Sequence, residues 1–386
     1  MWRTSAVTQV LRPRASILET PQTPTCRERG RHPSRCCQLP VLYASEHLLV
    51  VNKPADMRMD GDCFPITVEA LAQKQISDPG SALAEQVRPT GWHRVGHARL
   101  PLPPPMVRMI HQLDYATSGV LLLGLQKRPT AQINIAFRKR QVRKRYLALV
   151  HGHLRLDEKN QRFIMDAPLL EYVDDFRIRL MPPMTLNQDP TCDMNPDQVV
   201  PEKRPADAAE YTVVEDGLHS GSNEASAGSG VASSGSSSFR SLRDDPLKHE
   251  SFVHLEPCRS LQPLPGTVLK KAHQAVTYGR VIMVGSFRDL PATLVELWPE
   301  TGRRHQLRVH LWGIGHGIIG DATYPTLPDE DDRFSRMMLH AAELELPLCL
   351  QERFHLPARF EATLPEEMAE FTSEVSSHSS GTRMSA

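Results

Sequence analysis

Short uninterrupted apolar runs separated by polar turns recur along the chain, and runs of that length predict strands buried on both faces. Leu48–Val51 is one such run; Asn52-Lys53-Pro54 follows it, and the proline, lacking an N–H, ends a central strand there. Gly119–Leu125 is a second and Tyr146–Val150 a third, with helical spacing over Thr130–Arg138 between them. Further on, Tyr278–Val284 and Ala292–Trp298 predict two strands of a hairpin turned at Arg288-Asp289. A helix is expected from Arg304 to Trp312, then two short strands, Met338–Leu346 and Phe354–Phe360. Thr67–Gln75 has helical spacing, whereas the rest of 62–105, with Gly91, Gly96 and the Pro101–Pro105 cluster, reads as an irregular insertion.

Three stretches lack any such pattern. Residues 1–40 carry seven arginines and no acidic side chain before Glu19, a composition that fits a transit peptide or a disordered basic tail. Residues 217–238 are nearly all Ser, Gly and Ala, too poor in apolar side chains to offset the entropy of ordering. With its unpatterned flanks this makes a disordered insert at about 183–273, and 371–386 reads as a polar, frayed tail. The expected organisation is one domain over 41–370 interrupted by that insert.

With 386 residues, 40% hydrophobic and 23% charged, the chain is globular in composition, and no apolar run is long enough to span a membrane. Seven cysteines with no C-x-x-C pair fit neither a disulfide framework nor a zinc ribbon, so a reducing intracellular compartment, mitochondrial or cytoplasmic, is expected. The 45 basic residues balance 45 acidic ones, so attraction to a polyanion must be local. It is concentrated between Asp114 and Asp157, where there is no acidic residue and Lys127, Arg128, Arg138, Lys139, Arg140, Arg143, Lys144, Arg145 and Arg155 are all basic. Such a one-signed run suits phosphate contacts, and RNA becomes the leading partner.

Two segments could carry chemistry. His111-Gln-Leu-Asp-Tyr-Ala-Thr-Ser-Gly119 places Asp114 on a loop just before a buried strand. Thr301-Gly-Arg-Arg-His-Gln-Leu-Arg-Val-His310 packs three Arg and two His into ten residues, too costly to bury without a carboxylate or other anion. Neither His305 and His310, five apart, nor His151 and His153, two apart, has the i, i+4 spacing of a helical metal site, so no metal is expected. A hydrolase using Asp114 lacks a nucleophile constellation.

Taken in order, Leu48–Pro54, His111–Gly119, Lys144-Arg-Tyr146 with Leu147–Gly152, Thr301–His310 and Gly317-Ile-Ile-Gly-Asp-Ala-Thr-Tyr324, followed by Met338-Leu-His-Ala341, resemble the RluA-type RNA pseudouridine synthases. Eukaryotic RNA pseudouridylate synthase domain-containing proteins share this pattern. The resemblance covers 41–182 and 274–365. It implies an α+β pseudouridine synthase fold, with a mainly antiparallel central sheet in two halves around a catalytic cleft. It also implies uridine isomerisation in tRNA, rRNA or mRNA by base flipping, without a cofactor, and a monomer is the expected form.

By the same resemblance Asp114 is the catalytic carboxylate, Tyr146 stacks on and assists at the flipped base, and Arg308 pairs with Asp114. His111, Gln112, Thr117, Arg138, Lys139, Arg143, Lys144, Arg303, His305 and Gln306 are the expected substrate-binding residues. Gln112 departs from the family, which commonly has Arg there, a residue thought to fill the space vacated by the base. That substitution and the large inserts motivate the competing reading, a non-catalytic RNA-binding relative.

Overall fold

The computed structural model describes residues 38–372, except 62, 63, 65, 90–91, 96–97, 102–103, 157–159, 174, 182–250, 263–264 and 328–332. The basic N-terminal stretch, the Ser/Gly-rich part of the insert and the last residues therefore lie outside the described residues.

The apolar runs become the centre of one large mixed sheet. It contains β1 (Val41–Ala44), β2 (Leu48–Lys53), β5 (Arg108–Met109), β6 (Ser118–Gly124), β7 (Arg143–His151), β8 (Arg162–Met165), β11 (Val253–His254), β13 (Thr277–Phe287), β14 (Leu290–Pro299), β15 (Leu339–Glu345) and β16 (Arg359–Glu361). The order is β1-β2-β6-β15-β7-β14-β13-β8-β11, with β5 on β6 and β16 on β15. Most neighbours are antiparallel; β6 with β15 and β8 with β11 are parallel. Every residue of β6 is buried, as its unbroken hydrophobic run requires.

One core fills beneath the β7, β14 and β8 half, and two others pack on opposite faces of β2 and β6. Leu49, Val51, Leu121 and Leu123 face one way, and Leu48, Val50, Val120 and Leu122 the other, the alternation that the pleat imposes. Tyr146, on β7, packs against cores of both halves. The seam is narrow at Gly119: its φ is +118°, and a Cβ there would sit 2.2 Å from the Ala341 carbonyl oxygen. Only glycine lets β6 and β15 approach so closely next to the Asp114 loop.

The helices α1 (Val68–Ser77), α2 (Ala82–Val87), α3 (Lys127–Arg138), α4 (Gln306–Gly313) and α5 (Leu348–Phe354) complete the framework. No helix among the described residues is long and apolar enough to cross a membrane.

Four expectations need correction. The irregular stretch at 62–105 contains α2 and a hairpin of β3 (Trp92–Val95) with β4 (Ala98–Pro101) as well as the expected helix. Residues 251–262 and 265–273 belong to the fold, not to the insert. There β11 pairs with β8, while β12 (Leu269–His273) joins β9 (Leu169–Tyr172) and β10 (Arg179–Leu180) in a three-stranded sheet. Instead of a strand over Phe354–Phe360, α5 ends at a left-handed His355 and only β16 pairs, because the apolar spacing there satisfies either period. Finally, Phe371 is buried against Phe287, so order runs past the expected start of the tail.

Candidate active site

The site forms where three distant segments meet: the 111–119 loop ahead of β6, the first half of α4, and the turn that follows it around Asp321. Arg308, on α4, is 7% exposed and cannot be buried unpaired. Its Nη1 donates to Asp114 Oδ2 at 3.2 Å, across 194 residues of sequence. Its stronger partner is Asp321, which takes Nε at 2.7 Å and Nη2 at 2.6 Å. Asp321 is 1% exposed and also accepts the backbone N–H groups of Thr323 and Tyr324. One guanidinium thus serves two carboxylates. Asp321 fixes its plane by a fork of two bonds, and the remaining nitrogen reaches Asp114, which is 26% exposed.

Around this pair lie groups that share the field of Asp114. Tyr146 has its phenol pKa raised, first by burial and then by the Asp114 carboxylate, so the phenol is neutral at ordinary pH. His305 caps α4 in a left-handed conformation, and its Nδ1 lies 2.9 Å from the Tyr324 hydroxyl. Burial pulls that imidazole down to about 4, against the opposing pull of Asp114, so it is uncharged at neutral pH. The Arg308 guanidinium also lies 5.3 Å from the Tyr324 ring centroid.

Lys53 anchors the loop from beneath. It is fully buried, and its Nζ donates to the carbonyls of Pro54, Tyr115 and Thr117 at 3.0, 2.9 and 2.9 Å. Burial lowers its pKa to about 7, with Asp56 and Asp114 resisting that drop. Between about pH 7 and 10.5 the unfolded chain keeps a proton that the folded chain has released, so stability rises with pH across that window. Unfolding at pH 7 and pH 9 should show a proton-linked gain of ~1.4 kcal/mol per pH unit at most, absent from Lys53→Met. An equal pH slope in both proteins would rule out this role for the amine. Above pH 7 the neutral amine has two N–H donors for three carbonyls, and the loop loses one tie.

The other expected residues divide. Gln112, Arg138, Lys139 and Arg303 are exposed, and Lys144 extends toward the turn at Gly302, where a Cβ would lie 3.5 Å from its Nζ. Burial, with Arg140 adding to it, brings the Lys144 amine down to about 8.

Three residues expected to bind substrate are committed to the fold. Gln306 accepts from the Thr301 hydroxyl and Arg303 N–H and donates to the Val276 carbonyl and Thr277 Oγ1, which uses its whole amide. His111 accepts the Leu122 N–H and stacks on Phe137 with ring centroids 4.8 Å apart. Thr117 is buried.

The basic run is also less one-signed in space than in sequence. Arg145 bonds Glu343 at 3.0 Å and Glu296 at 3.3 Å, and Arg143 lies 3.9 Å from Glu345. Lys127, Arg128, Arg138, Lys139, Arg140 and Arg155 remain exposed. Lys53 and Asp321 were not singled out from sequence. The available signals were a lysine inside an apolar strand and the aspartate of Gly-Asp-Ala-Thr-Tyr.

The chain matches the family model described as RNA pseudouridylate synthase over residues 47–312. RNA pseudouridylate synthase domain-containing protein 1 of Mus musculus is 25% identical over 80% of this chain and 68% of its own length. The dual-specificity RNA pseudouridine synthase RluA of Yersinia pestis is 27% identical over 79% of this chain and 90% of its own. A solved structure of human RNA pseudouridylate synthase domain containing 1 aligns with a TM-score of 0.45 at 20% identity, over 88% of this chain and 95% of that one.

Proposed function

This chain belongs to the RNA pseudouridylate synthase family, and from that premise we propose that its cleft isomerises uridine to pseudouridine in RNA, with Asp114 as the catalytic carboxylate. The reaction breaks the bond from N1 of the base to C1′ of the ribose, turns the base and joins C5 to C1′. The C5 proton leaves and N1 gains one, so no atom or electron is added overall. The protein's task is to reach a base that is stacked in RNA, hold it out of the stack, and supply charge and proton transfer at the ribose and at C5.

The observation that carries this reading is the shared guanidinium. Because Asp321 occupies two of its nitrogens, Asp114 is held by a single bond. It is aimed, but not neutralised by a bidentate partner. That leaves charge on Asp114 for the ribose, where it acts as nucleophile at C1′ or as base on the sugar. Tyr146 stacks on the extruded base, and its neutral phenol suits it to relay the C5 proton and not to act as a standing phenolate. Arg138, Lys139 and the other exposed cations of the α3 end hold the phosphates flanking the target.

Gln112, exposed beside Asp114, takes the place of the family's usual arginine and can hydrogen-bond a base left without its partner, with no charge and less reach. Incubation of the full chain with tRNA, rRNA and mRNA pools, followed by nucleotide-resolution pseudouridine mapping, should show new pseudouridine at defined positions. Tight, salt-dependent RNA binding with no product in any pool would favour the non-catalytic reading instead.

A further inference from the structure

Tyr115, the neighbour of Asp114 in the chain, belongs to an arrangement that the uridine reaction does not require. Tyr115 is 53% exposed although its backbone is bound from inside: its carbonyl accepts both Lys53 Nζ at 2.9 Å and the Met57 N–H at 3.2 Å. The segment it touches alternates, with Met57 and Met59 buried and Arg58 between them exposed. That segment is held at both ends, because the Arg58 and Met59 carbonyls accept the Val68 and Glu69 N–H groups at the start of α1.

The Arg58 guanidinium carbon sits 4.0 Å from the Phe64 ring centroid and 5.7 Å from that of Tyr115. Phe64 is 43% exposed, and its N–H is bonded to the Gly61 carbonyl at 3.1 Å. Gly61 has φ +121°, and a Cβ there would press on the Phe64 ring at 3.2 Å.

Two rings and a guanidinium plane therefore stand half in water on rooted backbone, with Tyr115 next to Asp114 in the chain. An exposed cation–π contact adds only about 0.5–1 kcal/mol to a fold, too little to account for leaving two large rings uncovered. Unpaired nucleobases, by contrast, stack on aromatic faces and on arginine planes whatever their sequence. The loop itself points the same way, since Leu113 is buried while Gln112 and Tyr115 emerge on either side of Asp114.

We propose that Tyr115, Arg58 and Phe64 form a stacking shelf for an unpaired base adjacent to the target uridine, so that the substrate is a loop or bulge of RNA and not an uninterrupted helix. This rests on the reading of the Asp114 cleft as the site that receives the extruded uridine. The shelf supplies the flat, partly cationic surface that Gln112 does not.

The test uses the full chain and an RNA hairpin loop that it modifies, with the base on each side of the target replaced in turn by an abasic ribose or by 2-aminopurine. One abasic position should weaken binding to the wild-type protein by about 10-fold, within the range of a lost base–aromatic stack. 2-Aminopurine at that position should be quenched on binding. Tyr115→Ala should bind the parent RNA about 10-fold more weakly, ignore the abasic change and leave 2-aminopurine bright, while Tyr115→Phe restores most of the affinity and the quenching.

Wild-type discrimination and quenching persisting in Tyr115→Ala would overturn the shelf. So would Tyr115→Phe failing as badly as the alanine variant, since a stacking face needs no hydroxyl. Should the wild-type protein form no pseudouridine in any RNA, the reading of the cleft fails, and the same substitutions scanned through a hairpin loop that it binds report separately on the shelf.

Discussion

Asp114→Asn should abolish pseudouridine formation, by roughly 10⁴-fold or more in single-turnover rate, while leaving RNA affinity and the unfolding midpoint close to those of the wild-type protein. The expectation of an intact fold follows from Asp321. If Asp114 were the sole partner of Arg308, its neutralisation would strand a buried guanidinium at a cost of several kcal/mol. With Asp321 holding Nε and Nη2, the asparagine carbonyl needs only to accept the remaining Nη1 bond, and the charge lost is the one on the more exposed carboxylate. Residual activity within about tenfold of wild type would place the chemistry on another group. Loss of RNA binding together with activity would make Asp114 a structural residue of the loop.

Asp321→Asn should behave in the opposite way, destabilising the protein by roughly 3–5 kcal/mol, a large share of the usual margin. Asp321 takes two guanidinium N–H groups and two backbone N–H groups within a nearly water-free pocket. An asparagine turns one acceptor into a donor facing donors, and it removes the charge that balances Arg308. In whatever fraction stays folded, Arg308 is free to pair more fully with Asp114. Activity per folded molecule should then fall too, because Asp114, the proposed catalytic group, becomes neutralised and displaced. Urea unfolding read alongside single-turnover kinetics separates the two effects. A midpoint unchanged from wild type would show that the Arg308–Asp321 fork contributes little to the fold.

Much of the framework was legible because its strands are continuous apolar runs and its helices have regular spacing. Leu48–Val51, Gly119–Leu125 and the Arg288-Asp289 hairpin all lie inside observed strands or at their turn. The edges were not legible. Four of the five residues of β12 are exposed and three are polar, and β11 has two residues, so neither carries a hydrophobic period; both exist because a neighbouring edge, β9 or β8, offers unpaired backbone groups. Around Phe354 an apolar pattern compatible with either period was settled by the left-handed stop at His355.

The amino-acid order by itself determined which residues are available to the chemistry: one carboxylate ahead of a buried strand, one phenol at the start of another, and an arginine-rich turn too costly to bury unpaired. Tertiary structure alone decided how those charges are shared. It placed Asp321 in the fork of Arg308, closed Gln306 and His111 into the framework, and set Glu296, Glu343 and Glu345 beside arginines whose sequence neighbours are all basic or neutral. The reason is that a charge is paired by whatever lies within a few ångströms of it, and in a sheet whose adjacent strands are more than two hundred residues apart in the chain, local sequence does not say what that is.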